Sequence, residues 1–350
     1  MENVLLEYLK KIQNLLNYID GLNEINKLLS DENMRSELLI QKMEKIHREP
    51  SKRIFDYNLI IITLYGILEG FIEQVIEQYL DELSNIVKEY NELPEIIKEN
   101  HWDFSAELII NSKKLSKYST IERKDIIQNL WSCIEKNGTY KLNGKAFTNH
   151  SSNFRKNTIR DIFKNIGIEN ITSGLIKNKK FRNFFIDYDG VTEEELKSYS
   201  EDKFYIILHD IVERRNYIAH GNDVDEILSL PILKSYVEYI GLVLECIYTI
   251  LCKNLNIEKV KKSEKIDLGY PLEVYNNSII GIKNQYHELR KGMFIFSENT
   301  STKEIRCGKI ISIEESGKKI VKISDKENVL LGIQVDFVAK RNYRFGIIKV

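Results

Sequence analysis

Cysteine and proline are scarce in this chain, its net charge is almost nil, and no apolar run is long. Four cysteines in 350 residues (Cys133, Cys246, Cys252 and Cys307) are scattered without CxxC spacing. That excludes a zinc ribbon and a disulfide scaffold, and leaves the four thiols as buried small hydrophobes. Four prolines and four alanines stand beside abundant isoleucine, lysine and asparagine, a bias of A/T-rich coding that makes isoleucine a poor strand signal here. A balance of 51 basic against 52 acidic residues, net −1, excludes an overall polycation. The longest apolar run, Leu59 to Leu68, is interrupted by Thr63 and Gly66 and stops at Glu69, short of a membrane span. The first 15 residues already carry Glu2, Glu7, Lys10 and Lys11 in a helical pattern, so no signal peptide and no membrane association are expected, and a cytoplasmic location is.

What is present is an ordinary globular composition, 29% charged and 43% hydrophobic, with chain enough for two domains. From Met1 to about Leu255 the periodicity is helical. Leu5, Leu9, Ile12, Leu15, Leu16 and Ile19 mark an amphipathic first helix. Ser30 with Asp31 and Glu32 reads as a helix start, and Pro50 opens a long helix reaching about Tyr90. Ser119 with Glu122, and Thr192 with Glu195, read as capping boxes. Asn143-Gly144, inside Thr139 to Thr148, predicts a small hairpin. Ser200 can cap a helix ending at His220 and Gly221-Asn222, and Pro231 begins another. Residues 256–269 are polar and charged, a predicted linker. Residues 270–350 hold short apolar runs separated by Asn276-Asn277, Ser316-Gly317 and Asp325 to Asn328, which predicts six or seven strands in a small all-β barrel. The expected architecture is mainly α: a helical domain over 1–255, a linker over 256–269 and a barrel over 270–350.

Charge is uneven. Residues 261–350 carry 17 basic and 11 acidic side chains, whereas 1–260 carry 34 and 41. The positive tail suits an RNA-binding or partner-binding appendage. Lys177 to Phe185, KNKKFRNFF, interleaves bases (Lys177, Lys179, Lys180, Arg182) with aromatics, a mix suited to phosphate and stacking contacts with RNA; a solvated loop over a buried phenylalanine pair explains the same letters.

The segment with chemistry is VERRNYIAHG, Val212 to Gly221. Asn216 and His220 are four residues apart on one helix face, and the long Arg215 stem can bring its guanidinium to the same patch. A guanidinium pairs with phosphate oxygens, an amide orients a group, and an imidazole moves a proton, so the trio suits a phosphodiester. A helix C-terminus also favours positive charge, hence a proton donor. No Asp/Glu/His run has metal-ligand spacing, so neither metal nor cofactor is expected. Metal-free cleavage then needs an internal nucleophile, which RNA has in its 2′-hydroxyl and DNA lacks. A helix end with surface Arg214 and Arg215 and a loop-bonded histidine accounts for the same pattern without chemistry.

RRNYIAHG resembles the Arg-x(4–6)-His signature of the HEPN superfamily, helical domains that include many metal-independent RNases of prokaryotic defence and toxin systems. LYGILEGFIEQVIEQYL, with Glu69, Gly70 and Phe71, and HSSNFRKNTIRDIFKNIGI resemble segments of a subgroup associated with restriction-like and abortive-infection loci; the likeness covers about residues 50–255. The tail, in ELRKGMFIF and LLGIQV, resembles the small β-barrel of translation factors. The resemblance implies a homodimer with two signature helices facing across a two-fold axis, and 2′-hydroxyl attack giving a 2′,3′-cyclic phosphate and a 5′-hydroxyl. It assigns Arg215 to transition-state charge, His220 to proton transfer and Asn216 to orientation, with Arg214, Glu213 and Glu69 in support. Three functions stay open: an HEPN endoribonuclease acting as toxin or anti-phage effector, a catalytically silent HEPN module binding nucleic acid or an antitoxin or defence partner, and a structural dimer subunit of a restriction-like complex.

Overall fold

The computed structural model describes residues 1–30, 41, 43, 45, 49–112, 120–135, 139–150, 153–221, 226–285, 288–323 and 327–349. The expected helix start at Asp31-Glu32, Ser119 of one capping box, Asn222, and Asp325-Lys326 of one turn lie outside them. The chain forms two compact units, Met1–Leu251 and Cys252–Val350.

Among the described residues the first unit is built from α1 (Glu2–Ser30), α2 (Pro50–Ile86), α3 (Glu95–Asn111), α4 (Arg123–Ile134), α5 (Lys156–Lys164), α6 (Ile171–Lys177), α7 (Lys179–Asp189), α8 (Glu193–Lys197), α9 (Ile206–Ala219) and most of α10 (Leu230–Lys262). Helix α2 is the axis of the core. Ile60, Ile61, Leu64, Leu68, Phe71, Ile72, Val75 and Ile76 are all fully buried along it, more than one stripe of a helix and hence a helix covered on several sides. Its first residue is Pro50, where no intrahelical donor is lost. Helix α1 lies on α2 through Tyr8, Ile12, Leu15, Ile19 and Leu22, while Leu5, Leu9 and Leu16 of the expected stripe are half-buried. Tyr8 takes the inner place because Gly70 leaves it room: a Cβ there would stand 2.5 Å from the tyrosine oxygen. That oxygen accepts a 2.9 Å hydrogen bond from Gln74, and the ring meets Phe71 edge-on. Helices α2 and α10 are long and apolar enough to cross a membrane by length and composition, but about half of each apolar stretch is buried in the protein, as in core helices of soluble proteins.

The Thr192–Glu195 capping box is formed, whereas Ser200 makes no side-chain cap and a 3₁₀ turn, Glu201–Tyr205, leads into α9. No hairpin forms over Thr139 to Thr148: the chain is extended and then turns as a 3₁₀ helix, Gly144–Thr148. Long-range bonds outbid local pairing there. The Asn143 backbone N–H donates to His101 Nε2 at 3.0 Å, and its side-chain amide to Ser105 and the Ile126 carbonyl. Gly144 packs directly on the Glu77 backbone.

The second unit is an antiparallel half-barrel following the last turns of α10. Its strands are β1 (Lys265–Gly269), β2 (Glu273–Tyr275), β3 (Ile279–Gln285), β4 (Leu289–Arg290), β5 (Phe294–Glu298), β6 (Ile305–Glu315), β7 (Lys318–Ile320), β8 (Lys322–Ile323), β9 (Glu327–Val335) and β10 (Arg344–Ile348). The main sheet runs β1-β10-β5-β6-β9-β3-β2 with β7 on β6, and β4 pairs β8. Ile280, Ile295, Ile313, Ile333 and Phe345 lie in its core. Asn276-Asn277 and Ser316-Gly317 all have positive φ, the conformation that two-residue hairpin turns require. The predicted linker is corrected: 256–262 complete α10 and 265–269 are β1. Val260 is fully buried against Phe296 and Ile305, so the charged letters hide an amphipathic turn packed on the sheet.

Candidate functional site

Helix α9 carries the signature and ends as the sequence implies. His220 is its C-cap, its N–H bonded to the Asn216 carbonyl at 3.0 Å, and Gly221 follows in the left-handed conformation with φ +71°. Ile207, Leu208, Ile211 and Val212 anchor the opposite face in the core. The last turn is thus held while its polar side chains face outward. The His220 imidazole is exposed and hydrogen-bonds no described residue.

The two adjacent arginines differ sharply in their surroundings. Arg214 donates to Asp210 Oδ2 at 2.6 Å, to the Tyr57 hydroxyl at 2.8 Å and to the Glu226 carbonyl at 3.2 Å. Asp210 also accepts from Tyr236 at 2.7 Å, so this arginine ties α9 to α2 and α10. Burial works against its charge, but the Asp210 and Tyr57 bonds outweigh that and raise its pKa. Arg215 makes no ion pair with a described residue. Its guanidinium lies 4.8 Å from the Tyr65 ring centroid, with Nη1 3.3 Å from Asn216 Oδ1 and 3.5 Å from Asn153 Oδ1. An arginine held by a ring face and long neutral bonds keeps donors for an anion; one locked on a carboxylate does not.

Asn153 is the node of the site, and sequence reading missed it. Its Nδ2 donates to Asn216 Oδ1 at 2.8 Å, and its Oδ1 faces both Arg215 and the Tyr65 hydroxyl, the latter at 3.3 Å. The Tyr65 oxygen in turn accepts from the Phe154 N–H at 3.2 Å, and burial raises the phenol's pKa, keeping it a donor. One turn along α2, Glu69 stands 3.6 Å from His150 Nε2, and Glu73 stands 3.2 Å from the same nitrogen. The imidazole also packs on Phe154 at 4.2 Å. Glu69 therefore stands beside His150 and makes no ion pair with Arg215 among the described residues. Although no run in the sequence has metal-ligand spacing, Glu69, Glu73 and His150 offer ligand atoms within 4.8 Å of one another. The i, i+4 spacing of Glu69 and Glu73 was the visible half of that signal; His150 comes from a distant loop.

Glu213 is engaged elsewhere, pairing with Arg155 at 2.6 Å and lying 3.9 Å from His209. The basic string forms the end of α6 and the start of α7. Phe181 and Phe185 are buried against Phe204 and Tyr239, so they offer no stacking surface. Lys177 and Lys179 are exposed, Lys180 pairs with Glu245 at 2.8 Å, and Arg182 approaches Glu193 at 4.0 Å. Of the two readings of this string, the buried phenylalanine pair is formed, with the basic side chains on the surface above it.

The family model described as RiboL-PSP-HEPN matches residues 6–253. No curated protein matches the chain. The matched span contains α2, the Asn153 segment and α9, the elements that bring Tyr65, Asn153, Arg215 and Asn216 together, and by it the chain belongs to the RiboL-PSP-HEPN family.

Proposed function

We propose that this protein is a metal-independent endoribonuclease, working as a cytoplasmic homodimer and as a toxin or anti-phage effector of the restriction- and abortive-infection-associated HEPN subgroup, with a translation-factor-like half-barrel as its appendage. The observation that carries the reading is the Arg215 guanidinium, which has no ion pair with a described residue and is held beside Asn216 by Asn153 and Tyr65 in a helix turn that ends at an exposed His220. In this mechanism the substrate's 2′-oxygen bonds to the adjacent phosphorus and the P–O5′ bond breaks. Arg215 stabilises charge on the non-bridging oxygens, Asn216 orients the phosphate, and His220 transfers protons. Two copies supply two imidazoles, one to take the 2′ proton and one to protonate O5′, which is why a dimer suits so thin a site. Incubation with RNA should give fragments with 2′,3′-cyclic phosphate and 5′-hydroxyl ends; intact RNA, or 3′-hydroxyl products, would overturn the reading.

Two expected results follow from the site. Asn153→Ala should lower kcat by up to about 10²-fold with KM little changed, because it frees Arg215 and Asn216 to leave the reacting geometry. An unaltered kcat would remove Asn153 from the site. Chelation with EDTA should leave cleavage unchanged, since the nucleophile belongs to the substrate. Loss of activity restored by a divalent ion, and absent in Glu73→Gln, would move the chemistry to a cation at Glu69, Glu73 and His150.

A further inference from the structure

The first turn of α9 borders a cleft of about 590 Å³ that no part of the mechanism above uses. Its volume is that of a small-ligand site. Arg155, Lys156, Lys203, Ile206 and His209 line it, and among its described lining residues the cations outnumber the one carboxylate, Asp202. Ile206 is 58% exposed, unusual for an isoleucine on a core-packed helix.

Helix α9 joins this cleft to the signature. His209, Glu213, Asn216 and His220 follow at spacings of four, three and four residues, so they form one outward stripe about 16 Å long. Arg155 belongs to the cleft and, through a 2.6 Å pair with Glu213, to the stripe; it lies two residues after Asn153. Arg155 also donates to His209 Nδ1 at 3.1 Å, which fixes the guanidinium over the cleft wall.

We propose that this cleft is a second nucleotide subsite, holding one nucleotide of a single-stranded RNA a few positions from the phosphate bound at Arg215. The inference rests on the ribonuclease reading for its substrate class. Arg155 and Ile206 supply a guanidinium plane and an apolar side chain against which a base packs, a sequence-tolerant contact. Lys156 and Lys203 supply charge for the flanking phosphates. Lys156 is engaged by Asp202 at 2.7 Å and Glu201 at 3.4 Å, both on exposed side chains, and such pairs yield readily to a phosphate. Lys203 makes no ion pair with a described residue; its ammonium lies 3.6 Å over the Tyr199 ring.

The test is binding of a fluorescein-labelled single-stranded 12-nucleotide RNA, followed by anisotropy across salt, to the full-length His220→Ala protein. Adding Lys156→Ala with Lys203→Ala should weaken binding at least about tenfold. It should also shallow the log–log salt slope by about 1.4, the value for two lost phosphate contacts on a single strand. Adding Ile206→Asn, a neutral change at a surface-exposed position whose fold circular dichroism checks, should weaken binding with the salt slope kept. Unchanged affinity in both variants while the parent binds RNA would overturn the subsite and leave the ribonuclease reading standing. Loss of a dimer by sedimentation in Ile206→Asn, with RNA affinity unchanged, would assign the cleft to a self-interface and also overturn it. Binding that needs the cleft, from a wild-type protein that cleaves no RNA, would support the subsite and remove the nuclease.

Discussion

Arg215→Ala and His220→Ala are each expected to lower RNA cleavage by about 10²–10⁴-fold while leaving a folded protein. The fold should survive because neither side chain holds it. Arg215 contributes a ring-face contact with Tyr65 and two long bonds to amide oxygens, and His220 projects from a helix end. Arg214→Ala should behave differently. It strips Asp210 and Tyr57 of a shared partner at the junction of α9 and α2, a loss of about 1–3 kcal/mol, so any drop in activity should follow a drop in melting temperature. Arg215→Lys should recover little, since a point charge on a flexible stem replaces neither the planar ring contact nor the paired donors. Wild-type cleavage by the alanine variants would remove the signature from the chemistry.

His101 alone should lower stability by about 3 kcal/mol between pH 6.5 and pH 4. This imidazole is fully buried, and burial lowers its pKa from the usual 6.5 to about 4. Nε2 accepts the Asn143 N–H at 3.0 Å, so the proton rides on Nδ1, facing the Tyr90 hydroxyl at 3.4 Å. The unfolded chain binds a proton as pH drops through 6.5, whereas the native one resists it until about 4. Above 6.5 the group is neutral in both states and this contribution is fully present; it drains away as acid is added. Urea melts of wild type and His101→Gln at pH 7 and pH 4.5 measure it. The wild type should lose more stability than the variant over that interval, and equal losses would clear His101 of the role. The same junction replaced the predicted hairpin, because His101 and Asn143 bond to each other rather than to their neighbours in sequence.

The half-barrel's turns were legible because Asn276-Asn277 and Ser316-Gly317 are residues that tolerate positive φ, a local property. The helical class was legible for the same reason, since periodicity is a property of neighbouring residues. The aromatic string at Lys177 to Phe185 left two readings open because letters do not show which face of α7 is covered, and Tyr239 and Phe204 cover it.

By itself the sequence determined a helical domain followed by a β one, the helix stop at Gly221, and the turn carrying Arg215, Asn216 and His220. Each of these depends on residues within a few positions of one another, where propensity, capping and spacing act directly. Only the tertiary structure decided which of two adjacent arginines keeps its charge available, and that Asn153, Tyr65, Glu69, Glu73 and His150 gather beside it. Asn153 and Asn216 are 63 residues apart, and Tyr65 lies 88 residues before Asn153. Contacts at such separations are set by how α2 and α9 pack in a shared core, and no local pattern in the chain encodes that.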